Sequence, residues 1–88
     1  MTNPDSMARR SQAIVERIRP ILAGKDPAIV SAALGDLLAM WLAGHFASGP
    51  KATAALREQL LREHIQLVRD LIGPNEQMIL EGVRRGSQ

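Results

Sequence analysis

Cysteine and tyrosine are absent from the chain, phenylalanine and tryptophan occur once each, and only two of its eleven basic side chains are lysines. The lack of cysteine excludes disulfides and every zinc or iron–sulfur site built on thiolates. It also fits a reducing compartment. The two aromatic residues, Trp41 and Phe46, fall in one apolar stretch, so there is no platform on which successive nucleic-acid bases could stack. Gly24, Gly35, Gly44, Gly49 and Gly73 stand isolated, so no glycine-rich phosphate loop is present, and no serine nucleophile elbow occurs. Met1 to Ser6 has neither a basic region nor an apolar run, which leads us to expect a cytoplasmic protein without a secretory signal. The formal net charge of +2 is too small for the long positive stripe of a dedicated duplex binder.

What remains is a chain of 88 residues rich in alanine, arginine and leucine, a bias that suggests a GC-rich bacterial genome. The length predicts a single domain over 1–88, with 1–5 and 84–88 as frayed ends. A domain of this size buries only about 60–65% of its unfolded surface, so a lone core is marginal. With disulfides and thiolate zinc excluded, self-association is the support left.

Sparse β-branched and aromatic residues, with Gly/Pro punctuation at three places, predict an all-α bundle of three main helices and a short fourth. Helix one is expected from Asp5 or Ser6, its apolar residues Met7, Ile14, Val15, Ile18, Ile21 and Leu22 sharing one face. Pro20 projects outward, and the apolar stripe resumes behind it, so the helix is expected to run on, kinked, to about Ala23 before Gly24 closes it, the rival reading being an end at Arg19. Asp26-Pro27 is a strong start for helix two, an N-cap acceptor followed by proline at the first helical position. Ser48-Gly49-Pro50 ends that helix. Helix three is expected from Lys51 to Ile72, with Gly73-Pro74 stopping it and Asn75 capping the short fourth. Short connections make helices two and three an antiparallel hairpin, with helix one packed across it.

The stretch from Asp26 to Ala47 is long enough to invite a membrane reading. Asp36 sits at its midpoint, where a charge costs about 3 kcal/mol, and Gly35, Ser31, His45 and Pro27 add to the deficit. No membrane span is expected. On a helical wheel, Val30, Leu34, Leu37, Leu38 and Trp41 form a bulky face, and opposite lies a ridge of Ala28, Ala32, Gly35, Ala39 and Ala43. The ridge has three readings: alanine used as the cheapest helix former, a close intrachain helix contact, or the seam of a homodimer.

Few residues are placed to do chemistry. Asp36 lies between the two faces, either solvated or reaching across the hairpin to Arg62 or His64. His64 falls in the apolar arc of helix three, so Asp36 and His64 are the candidate buried polar residues. His45 belongs near the C-terminus of helix two, where the helix dipole favours a cation. A symmetric hairpin sets His45 level with about Thr53, away from His64, and neither metal site nor cofactor is expected. Arg9, Arg10, Arg17 and Arg19 on helix one are candidate phosphate contacts, although Glu16 interrupts them as on an ordinary solvated face. The expectation from these features is a non-enzymatic protein–protein interaction module, homodimeric, with the ridge as candidate interface. The alternative is a weak nucleic-acid-binding accessory protein acting through helix one.

Overall fold

The computed structural model describes residues 3–86, and among them three α-helices and no strand are found. The chain divides into two compact units, one ending at Leu37 and the other beginning at Leu38. No helix among the described residues is long and apolar enough to cross a membrane.

The first unit holds α1 (Pro4–Leu22) and the start of α2 (Pro27–Ala43). Helix α1 begins one to two residues before the expected position because Asn3, not Asp5 or Ser6, is the N-cap. Its side chain accepts from the Ser6 N–H at 2.8 Å, and Pro4 takes the first helical position, where a missing N–H costs nothing. The helix passes through Pro20 and stops at Leu22, where the Ala23 N–H donates to the Arg19 carbonyl at 2.9 Å. Gly24 follows at φ +74°, the left-handed conformation that closes a helix cheaply only at glycine. At the entry to α2 the Asp26 carboxylate accepts from the Ala28 N–H at 2.8 Å, the cap expected from the Asp-Pro pair. Ile18 and Leu22 of α1 and Val30 and Ala33 of α2 are the half-buried apolar positions of this unit.

The second unit holds the end of α2 and α3 (Pro50–Gly86), a helix of 37 residues and about 55 Å. Its contacts pair rising with falling residue numbers: Ala47 with Thr53, Ala43 with Arg57, and Trp41 with His64. The pairing is that of an antiparallel helical hairpin.

Three features depart from the sequence-based expectation. Helix α2 ends at Ala43, not at Ala47, and residues 45–47 leave the helix. Gly73-Pro74 does not end α3, so the separate fourth helix is instead the last part of α3. Residues 84–86, expected to fray, are helical, as are Pro4 and Asp5 at the other end, while 1, 2, 87 and 88 lie outside the described residues. The continuity at Pro74 has a steric cause. Proline disfavours a helical residue before it through a clash with that residue's Cβ and N–H, and Gly73 has no Cβ. The next residue, Asn75, donates its side-chain amide to the Leu71 carbonyl at 2.8 Å, one turn back along the same helix.

Candidate functional site

The best-defined cluster lies where α2 ends and α3 begins. Gly49 turns the chain at φ +88°, and its carbonyl accepts from the Thr53 N–H at 3.0 Å, starting α3. Thr53 is the one buried residue among those described, at 8% exposure. Its hydroxyl accepts from the Ala47 N–H at 3.0 Å and donates to the Ala47 carbonyl at 3.2 Å, so one side chain satisfies both backbone groups of a non-helical residue. One turn later Arg57 reaches the C-terminus of α2. Its Nε donates to the Leu42 and His45 carbonyls at 3.1 Å each, and its Nη2 to the Ala43 carbonyl at 2.8 Å.

Electrostatics explain the arrangement. The last turn of α2 contains no basic residue, so its unpaired carbonyls and the negative end of its dipole have no partner within the helix. Arg57 supplies the positive charge from the next helix, and its planar fork spans several carbonyls at once, which a lysine cannot do. Its guanidinium carbon also lies 5.0 Å from the centroid of the Phe46 ring, in cation–π range. His45 completes the cap. Its Nδ1 lies 2.7 Å from the Trp41 carbonyl, and because a carbonyl only accepts, that nitrogen carries the proton.

Trp41 is shared by both histidines. Its ring stands edge-on to His45 at 4.8 Å and tilted against His64 at 5.6 Å. The expected register set His64 level with Asp36, but His64 meets Trp41. Ending α2 at Ala43 takes residues 45–47 out of the helix and its compact rise of about 1.5 Å per residue, which carries α2 further from the turn. Each α3 residue therefore faces a later residue of α2. The same shift brings two histidines, expected to be far apart, onto one indole. Among the described residues no three potential metal ligands converge.

Of the two candidate buried polar residues, Asp36 is exposed and His64 is half-buried against Trp41. The ridge residues Ala28, Ala32, Gly35, Ala39 and Ala43 are all exposed, as are Arg9, Arg10, Arg17 and Arg19 on α1. Arg57 and Thr53 were legible in principle but not singled out. Arg57 interrupts the apolar arc of Leu56, Leu60 and Leu61, and lies about as far past the turn as the cation-free end of α2 lies before it.

The most extensive feature is the face of α3 itself. At 100° per residue, Thr53, Arg57, Leu60, Leu61 and His64 share one side of the helix with Leu67, Val68, Leu71, Ile72, Met78 and Ile79. The first group is buried or half-buried. Past His64 every described residue is exposed, and the six apolar side chains of the second group are 44–60% accessible. No large apolar residue among those described is buried anywhere. The face is continuous in sequence and covered along only part of its length.

Comparison with protein-family models, curated proteins and solved structures finds no match to this chain.

Proposed function

We propose that this chain is a small, non-enzymatic, cytoplasmic helical interaction module that assembles as a homodimer. The observation that carries the reading is the apolar face of α3, half-buried as far as His64 and exposed from Leu67 onward. Isolated exposed apolar residues need no explanation, but a row at helical spacing on one face marks an interaction surface. Energetics support it. Each half-exposed Leu, Ile, Val or Met contributes about 1 kcal/mol when its remaining surface is covered. Ordering a residue costs about 1–2 kcal/mol of backbone entropy, and with no large apolar side chain buried among the described residues little of it is recovered by the chain alone. Covering the face with another helix supplies the missing burial, and twofold pairing of identical chains is the commonest way small proteins obtain it.

The arginines of α1 do not favour the nucleic-acid reading as strongly. Exposed and interleaved with Gln12 and Glu16, they have the character of a solvated helix face.

Light scattering over a concentration series tests the proposal. A dimer whose population rises with concentration is the expected result, and Ala32→Glu or Ala39→Glu reports whether the small-residue ridge of α2 takes part. A chain that is helical by circular dichroism yet monomeric at every concentration overturns the homodimer.

A further inference from the structure

Taking the homodimer reading as its basis, we infer that the seam is the second half of α3, with the Leu67 to Ile79 face of one chain packed on the same face of a second copy, and that the alanine ridge of α2 is not the seam. The ridge offers only small side chains. The α3 face offers six large ones, Leu67, Val68, Leu71, Ile72, Met78 and Ile79, in line with the residues that already pack against α2.

The area fits one further helix. A buried CH₂ corresponds to roughly 30 Å² of apolar surface, so the exposed parts of these six side chains amount to roughly 350 Å² per copy and 700 Å² for two. Homodimer interfaces are about 65% apolar, which scales this to about 1,100 Å² in total, at the threshold of a specific interface. The pattern also suits self-pairing. Two apolar groups, Leu67 to Ile72 and Met78 to Ile79, flank the small and polar interval Gly73 to Gln77, so a second copy can set apolar against apolar on both sides of it. Charge does not oppose the pairing: Arg62, Arg69, Arg84 and Arg85 are balanced by Glu63, Asp70, Glu76 and Glu81.

Because the chain has no cysteine, an introduced one is unique. Single variants Val68→Cys, Leu71→Cys, Asn75→Cys and Ala39→Cys of the full chain, oxidised mildly and run on a non-reducing gel, read out which residues meet their own copy, since a disulfide needs Cα atoms within about 7 Å. Circular dichroism confirms that each variant is folded. The expected result is a covalent dimer from at least one of the three α3 variants and none from Ala39→Cys. Cross-linking through Ala39→Cys alone, or a dimer by light scattering with no α3 cross-link, overturns the α3 seam and leaves the homodimer standing. A folded monomer overturns both, and leaves the face to another part of the chain or to a different protein.

Discussion

The Nη2 of Arg57 donates to the carbonyl of Ala43 at 2.8 Å, and through this contact a residue of one helix closes the end of the helix before it. The guanidinium also holds the carbonyls of Leu42 and His45, so the hairpin turn is built around one cation at the negative end of a helix dipole.

Replacing Arg57 with glutamine should therefore destabilise the second unit by about 1–2 kcal/mol, the cost of losing charge-assisted bonds at a partly solvated cap. Arg57→Lys should recover less than half of that, since a point charge cannot bridge several carbonyls. Urea denaturation at one fixed protein concentration measures both, and a lysine variant as stable as the parent would show that charge alone matters.

Thr53 holds both backbone groups of Ala47 through a single buried hydroxyl. Thr53→Val keeps the shape and removes the bonds, so a loss of about 1–3 kcal/mol is expected, with Thr53→Ser close to the parent. The amide protection of Ala47 in hydrogen exchange should fall in the valine variant and persist in the serine variant.

Pro74 interrupts the hydrogen-bond ladder of α3 without ending the helix. Pro74→Ala should raise the thermal midpoint, with a gain of up to about 3 kcal/mol, because the missing N–H is restored and the ring no longer opposes the preceding turn. Gly73→Ala beside an intact Pro74 should help less, despite open space around its Cβ position, because the new Cβ meets the proline ring. A Pro74→Ala variant that melts lower would mean that the kink itself is required.

Trp41 is the only tryptophan, and both histidine rings lie against it. His64→Ala should uncover one side of the indole and move its emission toward longer wavelength. His45→Ala should instead weaken the end of α2, by removing the donor to the Trp41 carbonyl. An unchanged spectrum in the first variant would contradict the contact.

Local rules were legible to the extent that they depend on neighbours in sequence. The Asp26 cap, the Gly24 stop and the passage of α1 through an outward Pro20 follow from backbone sterics and from side chains within four residues. The same reasoning failed at Gly73-Pro74, where the pair was read as a stop. The absence of a Cβ on Gly73 makes it a tolerable interruption. It failed again at the end of α2, and with that the register was displaced, setting His64 opposite Asp36 when it meets Trp41.

By itself the sequence determined the helical class, the start of α2, the apolar arc of α3 and the exclusion of disulfide chemistry, because each rests on composition or on spacing along one helix. Only the tertiary structure decided where α2 stops, since its C-terminal carbonyls are satisfied by a guanidinium fourteen residues further on. It also decided how far the face of α3 is covered. A helical wheel shows which residues share a side, but coverage depends on how far the neighbouring helix reaches, and past His64 the apolar side chains of α3 stay exposed.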